Sequence, residues 1–176
     1  MNETIEYCQG NKIVASFYNN ENDPDAHLTG YIEAYNETEL LIAHISYYGM
    51  YDGYILKRIN DIYRIDFGGK YEEKTEKLYK LKNQRHRDLN ISDEYILEPL
   101  LEFAKRTELV VSFELDGYVI SGFVEELREG CVRVRKVDEY GEPGGESALE
   151  IDAVLTIAVD TDDEQNIKLL YENRGE

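Results

Sequence analysis

The sequence predicts a mainly β protein in which one small unit, a short helix followed by five short strands, occurs twice. The stretch 28–33, with the sequence LTGYIE, returns at 120–125 as ISGFVE. The same spacing of 92 residues continues downstream and pairs Leu78 with Leu170. Around these matches, short alternating apolar runs are separated by turn residues, which is typical of strands. A period this long that occurs only twice indicates a tandem pair of domains.

Upstream of the repeated stretch the spacing is 96 residues, so that 15–17 matches 111–113. The change from 96 to 92 indicates that the second copy lacks four residues, in a turn predicted at 19–27 of the first copy and around Asp116 and Gly117 of the second. Turns tolerate changes of length better than helices or strands do. A duplicated unit is therefore the strongest inference from the sequence.

The elements of the first copy follow from its apolar pattern. A short helix is predicted over 4–9, because Gly10 can end it. Strands are predicted at 12–18, 27–36, 39–47, 54–59 and 62–67. Residues 69–91 are predicted to begin as a helix or a sixth strand and to continue as a linker.

The second copy repeats this order. Ser92 or Asp93 can cap a helix over 94–106, in which the apolar residues share one face and Pro99 can divide the span. Strands are predicted at 108–115, 118–127, 131–138, 147–150 and 153–159. A last element at 165–171 matches the one around Leu78. We therefore predict a first domain at 1–82, a linker at 83–91 and a second domain at 92–176.

The chain is strongly acidic, with 37 Asp and Glu against 19 Lys and Arg and a net charge of −18. The charge is uneven, because residues 1–91 carry −4 and residues 92–176 carry −14. Such a chain is repelled at long range by phosphate backbones and anionic lipids. The charge is consistent with simple solubility, with a basic partner surface or with mimicry of a nucleic acid.

The sequence predicts a cytoplasmic protein without a membrane role. No apolar run approaches the roughly 18–20 residues that span a bilayer. The first residues have neither a basic region nor an apolar signal core. The two cysteines, Cys8 and Cys131, stand at non-equivalent positions of the repeat and are predicted to be free thiols.

Each copy, as a short helix and five short bent strands, resembles the Sm/LSm family of small SH3-like barrels, which includes the Hfq-type RNA chaperones. The resemblance rests on the glycine of the second strand, followed six residues later by Asn36 in the first copy and by Arg128 in the second. It also rests on the short turns after the fourth strands, at 59–62 and 151–154. The resemblance implies two tandem five-stranded barrels, each preceded by a short helix.

Two departures separate the chain from this family's RNA-binding members. Members that grip uridine have an Asn ten residues after the glycine, where this chain has Leu40 and Val132. Their second motif has Arg-Gly in the turn, where this chain has Asn-Asp at 60–61 and Asp-Ala at 152–153. The family's RNA pocket is therefore not carried over at these positions.

Catalytic and metal-binding patterns are weak. The three histidines share no recognisable motif with either cysteine, as a nucleophile and its base would. The loop with Asp23, Asp25 and His27 lacks the Gly and the terminal Glu of a calcium loop. No glycine-rich phosphate loop occurs. We therefore predict a protein that is not an enzyme and has no cofactor and no metal site.

The copies differ most in the loop between the third and fourth strands. Residues 47–54 read YYGMYDGY, whereas their counterparts at 139–146 read EYGEPGGE. Tyr and Met side chains are common at binding surfaces. The partner-binding residues are therefore predicted to be Tyr47, Tyr48, Met50, Tyr51 and Tyr54. They could instead pack between the two copies.

The function that the sequence favours is that of a binding or regulatory adaptor, whose partner is another protein or a second copy of the same chain. It would use the tyrosine loop and the third strand of the first copy, which is apolar on both faces at 40–43. The alternative is an RNA-binding Sm-like protein, although the net charge disfavours nucleic acid. It would use the tyrosine loop at 47–54 and one basic segment, whose possible contacts are Lys74, Lys77, Lys80, Lys82, Arg85 and Arg87. The same segment could be a solvated linker.

Overall fold

A computed structural model describes residues 1–23 and 25–175 of the chain. These residues form ten strands, all paired antiparallel within each unit, and four α-helices. The prediction of a mainly β protein is therefore confirmed. The chain divides into two compact units, the first at Met1–Ile96 and the second from Leu97 onward.

The first unit begins with a helix and continues with five strands, a 3₁₀ turn and a second helix. Its elements are α1 (Asn2–Gly10), β1 (Ala15–Tyr18), β2 (Leu28–Tyr35), β3 (Glu39–Ile45), β4 (Tyr51–Arg58), the 3₁₀ turn Ile59–Asp61, β5 (Arg64–Phe67) and α2 (Lys70–Leu81). The strands pair in the order β5-β1-β2-β3-β4. The first and last strands of the unit are therefore neighbours.

The second unit repeats this plan element by element. It contains α3 (Leu97–Arg106), β6 (Val110–Leu115), β7 (Tyr118–Arg128), β8 (Cys131–Val137), β9 (Pro143–Glu150), the 3₁₀ turn Ile151–Ala153, β10 (Thr156–Val159) and α4 (Asp162–Glu172). Its strand order, β10-β6-β7-β8-β9, matches that of the first unit. In neither unit do the described residues pair the two end strands of this order, so the closed barrel expected from the sequence is not observed.

The repeat extends to the register of the strands. Gly30 pairs with His44 across β2 and β3, and Gly122 pairs with Lys136 across β7 and β8. Both pairs of strands carry one β-bulge, which falls between Ile32 and Ala34 in the first unit and 92 residues later in the second. A bulge bends its strand and increases the local twist.

The core of the first unit lies between α1 and the sheet. Ile5 and Cys8, three residues apart on one face of α1, are completely buried against Phe17, Leu40 and Ile42. In the second unit the same role belongs to Leu100, Leu101 and Ala104 of α3, which are also completely buried. Residues three and four apart share a helix face, so short helices with this pattern can cover a small sheet.

Several element boundaries differ from those predicted. The helix predicted over 94–106 begins at Leu97, so Pro99 lies in its first turn, where no intrahelical N–H bond is lost. Asp93 does not cap it, because its carboxylate accepts hydrogen bonds from the Tyr35 N–H and the Gln9 side chain. The elements after β5 and β10 are both helices, the second with a Thr161–Glu164 capping box. The segment predicted as a linker, 83–91, forms neither helix nor strand.

Candidate functional site: a tyrosine turn and an adjoining groove

The exposed aromatic residues of the first unit lie in a tight turn at 46–50 between β3 and β4. The turn is closed by hydrogen bonds from Ser46 N–H to the Met50 carbonyl (3.0 Å) and from Gly49 N–H to the Ser46 carbonyl (2.8 Å). Gly49 has a φ of +68°, and a Cβ there would lie 2.5 Å from the Leu78 Cβ of α2. Glycine is therefore needed for both the conformation and the close packing. The result is a turn held against the end of a helix.

This turn presents Tyr47 and Tyr48 to solvent, with 59% and 69% of their surface exposed, and Met50 with 40%. The two tyrosine rings meet edge to face, 5.4 Å apart. We call Tyr47, Tyr48 and Met50 the tyrosine turn. The equivalent turn of the second unit has the same hydrogen bonds, from Asp138 N–H to the Glu142 carbonyl and from Gly141 N–H to the Asp138 carbonyl.

Two other residues of the predicted surface lie on β4. Tyr51 pairs with Ile45 and is half-buried, with its ring 4.6 Å from that of His86. Tyr54 is only 1% exposed, and its hydroxyl donates a hydrogen bond of 2.5 Å to the Arg87 carbonyl. The prediction that Tyr54 contacts a partner is wrong, because Tyr54 lies within β4, where residues 53–57 are all buried. The apolar stretch 40–43 is also buried and is not available to a partner.

The structure brings the basic segment to the tyrosine turn. The Lys74 ammonium lies 4.2 Å from the centre of the Tyr47 ring, and the Lys82 ammonium donates a hydrogen bond of 2.6 Å to the Tyr48 carbonyl. A cation over an aromatic face is attracted by the ring quadrupole. Lys74 and Lys82 of the basic segment therefore adjoin the tyrosine turn.

The rest of the basic segment is divided between α2 and a groove. Lys77 is exposed on α2, and Lys80 donates a hydrogen bond of 2.6 Å to Glu76, one turn earlier. Arg85 and Arg87 are exposed and line the groove. The segment is thus not one continuous basic face.

The groove has a volume of about 600 Å³ and lies between β2, α2 and the segment 85–88. Tyr31, Glu33, Tyr79 and His86 contribute the main side chains of its lining. Glu33 is the extra residue of the β2 bulge, since Ile32 pairs with Ile42 and Ala34 with Leu41. Bulges re-aim side chains and are common beside functional sites.

Hydrogen bonds fix the groove's polar groups. The Tyr31 hydroxyl donates to Glu76 (3.0 Å), and the Tyr79 hydroxyl is 2.8 Å from Nδ1 of His86. The other ring nitrogen of His86 is 2.9 Å from the Gly53 carbonyl. Glu33 accepts a hydrogen bond of 3.2 Å from the Leu89 N–H. Residues 86–89 are therefore held by the groove rather than by secondary structure of their own.

Burial shapes the electrostatics of the groove. Desolvation raises the pKa of Glu33 above its usual value, with the nearby Asp88 adding to the shift and the Leu89 N–H opposing it. Desolvation also lowers the pKa of His86 to about 4, so the imidazole is neutral at pH 7. Burial raises the pKa values of Tyr31 and Tyr79, which keeps both hydroxyls protonated. The groove thus combines neutral donors with one carboxylate that is poorly solvated.

A matching groove of about 500 Å³ lies in the second unit. Its aromatic residue, bulge carboxylate and tyrosine are Phe123, Glu125 and Tyr171. Arg135 lies in this groove, where Nε donates to Glu125 (2.6 Å) and Nη1 donates to the Tyr171 hydroxyl (2.8 Å). The first unit has Ala43 at the corresponding position of β3.

The groove was not predicted from the sequence. Tyr31 and Glu33 belong to the repeated stretch, whose recurrence predicts a duplicated fold but does not by itself predict a binding site. The useful signal was available in the aligned copies, where the aromatic residue, the carboxylate and the tyrosine recur while Ala43 is replaced by Arg135.

Other chemistry is not indicated in the part of the chain that the structure describes. Both cysteines are free, and burial raises the pKa of the Cys8 thiol, which suppresses its thiolate. Within residues 1–23 and 25–175, no three His, Cys, Asp or Glu side chains are grouped so that they could hold a metal ion. None of the described helices has the length and apolar character needed to cross a bilayer.

Comparison with models of known protein families, with curated proteins and with solved structures gave no match. Functional reasoning therefore rests on the geometry of the turn and the groove.

Proposed function

We propose that the protein is a non-enzymatic adaptor of the cytoplasm, whose first unit captures a protein partner, or a second copy of the chain, through the tyrosine turn. The observation that carries this proposal is the pair of exposed rings of Tyr47 and Tyr48 in a turn held by hydrogen bonds and by α2. Large aromatic side chains that are already ordered lose little entropy on binding and are common energetic anchors of interfaces.

The comparison of the two units supports this assignment. The second unit has the same turn, but Glu139 and Glu142 replace Tyr47 and Met50. Packing of the turn on its helix therefore does not require Tyr47 or Met50, since Gly141 packs on Leu170 as Gly49 packs on Leu78, while Tyr140 stands in place of Tyr48. Tyr47 and Met50 are better explained by binding than by folding.

We further propose that each unit is an open variant of the small SH3-like fold of the Sm type. The order β5-β1-β2-β3-β4, the preceding helix and the 3₁₀ turn before the last strand support the resemblance. Leu40 and Val132, which stand where uridine-binding members have Asn, are completely buried. This burial supports the protein partner over an RNA ligand at the family's pocket.

The test is the double variant Tyr47→Glu and Met50→Glu, which gives the first turn the residues of the second. Its matched control is Tyr140→Glu in the second unit, which removes an exposed tyrosine outside the tyrosine turn. The measurements are quantitative pull-down from extract of the source cells and sedimentation of the purified chain. We expect the wild type and the control to capture a partner or to self-associate. The double variant should do so at least about tenfold more weakly. Equal behaviour of all three proteins would reject the proposal.

A second candidate, binding of single-stranded nucleic acid, is favoured by one observation. Lys74 and Lys82 contact the tyrosine turn itself, and stacking surfaces for single strands combine aromatic rings with nearby cations. Fluorescence anisotropy with single-stranded oligonucleotides, titrated with salt, separates the candidates. Submicromolar affinity that falls steeply with salt and is lost in Lys74→Glu would favour nucleic acid over the protein partner.

A further inference from the structure

The grooves of the two units are lined by matching residues, 92 positions apart. The matched pairs are Tyr31 and Phe123, Glu33 and Glu125, and Tyr79 and Tyr171. The grooves differ in the residue of the neighbouring strand that pairs with the aromatic residue. There the first unit has Ala43 opposite Tyr31, and the second has Arg135 opposite Phe123.

The second unit shows which chemical group these residues fit. The Arg135 guanidinium lies 4.7 Å from the centre of the Phe123 ring and donates hydrogen bonds to Glu125 (2.6 Å) and to the Tyr171 hydroxyl (2.8 Å). The bond to Glu125 raises the pKa of Arg135 above its usual value. A planar guanidinium stacks on a ring and donates along its edge at the same time.

The first unit keeps the ring, the carboxylate and the hydroxyl but lacks the arginine. Desolvation raises the pKa of its Glu33 carboxylate, and the neutral Leu89 N–H at 3.2 Å and the charge of Lys12 only partly oppose this shift. A buried carboxylate is costly unless a cation or several strong donors face it. The Tyr79 hydroxyl, 2.8 Å from Nδ1 of His86, lines the same groove.

We infer that the groove of the first unit binds the guanidinium of an arginine side chain presented by a partner protein, stacked on Tyr31 and paired with Glu33. Arginine fits better than lysine because a planar guanidinium can stack on a ring and donate to a carboxylate at the same time, whereas a compact ammonium is a point charge. The site does not use the tyrosine turn, so its test is independent of the function proposed for that turn.

The charges that face the groove are mixed. The cations at its edge are Lys12, Lys80, Arg85 and Arg87, and the acidic residues besides Glu33 are Glu76 and Asp88. Lys80 is held by Glu76 at 2.6 Å, and His86 carries no charge at pH 7. The edge cations could instead attract an anion, and the experiment distinguishes this outcome.

The experiment is a calorimetric and NMR titration of the full chain with a capped tripeptide that has arginine at its centre. The same tripeptide with citrulline, which keeps the shape and removes the charge, and the one with lysine are the matched probes. We expect one arginine site per chain, with shifts at the amides of Tyr31, Glu33 and Tyr79, and binding of citrulline weaker by about tenfold or more. Equal binding of citrulline, no shifts at these amides, or binding of inorganic phosphate in place of the arginine peptide would overturn the inference.

Three variants sharpen the result. Glu33→Gln keeps the acceptor of the Leu89 bond and removes the charge, so it should weaken arginine binding by about tenfold or more. Ala43→Arg should fill the groove as Arg135 fills its counterpart and should abolish binding. Arg135→Ala should open the second groove and raise the stoichiometry from one to two. If either of the last two fails to fold, Glu33→Gln with unchanged affinity still overturns the inference.

Discussion

Gly30 lies directly against the backbone of Ala43 on the neighbouring strand, and a Cβ at this glycine would lie 2.2 Å from the Ala43 carbonyl oxygen. Gly122 has the same relationship with the Arg135 carbonyl, also at 2.2 Å. Real Cβ atoms do not approach a carbonyl this closely, so any side chain must push two paired strands apart. The glycine of the repeated stretch is thus a requirement of the sheet.

Gly30→Ala is expected to lower the free energy of unfolding by about 1–3 kcal/mol, the range for overpacking a well-packed site. The measurement is urea unfolding followed by circular dichroism. Gly10→Ala is the control, because a Cβ at Gly10 meets nothing within 4 Å and alanine is favoured in a helix. Equal stabilities of the two variants would contradict the packing argument.

Ser16→Ala is expected to destabilise the first unit by about 1–3 kcal/mol, because it leaves a buried carboxylate without its donor. The Ser16 hydroxyl donates a hydrogen bond of 2.6 Å to Glu72, and both residues are buried. The matched variant is Ser112→Ala, which removes only a bond between neutral hydroxyls, 2.8 Å from Ser112 to Ser121. Thermal unfolding should show the larger loss for Ser16→Ala, and the reverse order would reject this account.

Glu33→Gln should stabilise the protein at pH 7 and leave its stability at pH 4 nearly unchanged. The pKa of Glu33 is raised in the folded state, so the folded chain binds this proton more tightly than the unfolded chain does. The contribution of Glu33 to the free energy of unfolding therefore falls as the pH rises from the pKa of the unfolded state through the pKa of the folded state. Urea unfolding at several pH values measures the effect. Glu125→Gln, which breaks a bond to Arg135, should not stabilise the protein at pH 7.

His86 should remain neutral down to about pH 4, because burial lowers its pKa to about 4. The unfolded chain takes up this proton at a higher pH, near the ordinary histidine pKa of about 6.5. The contribution of His86 to the free energy of unfolding is therefore fully present above that pKa and is lost as the pH falls towards 4. An NMR titration of the imidazole protons measures the pKa directly. A midpoint near 6.5 would show that His86 is solvated and is not held by its hydrogen bonds to Tyr79 and Gly53.

The duplicated order of elements could be predicted from the sequence because it depends on local patterns and on a repeat long enough to align. The groove could not, because its lining comes from β2, α2 and an irregular segment without apolar periodicity. His86 anchors that segment through hydrogen bonds to Tyr79 and Gly53, for which no sequence pattern exists. Tyr54 was misplaced because the fourth strand was predicted to begin at this residue, whereas β4 begins at Tyr51 and already pairs Tyr54 with Ala43.

Because Glu33 is the bulged residue of its strand, it sets both the chemistry of the groove and the bend of β2. Replacing its side chain alters only the first of these. Deleting the residue would leave Ile32 opposite Ile42 and Ala34 opposite Leu41 in a regular ladder, so that Ala34 and Tyr35 would keep their faces of the sheet but the bend would be lost. A change of length is therefore better tolerated at 19–27, where the two copies already differ, than at this bulge, which both copies keep.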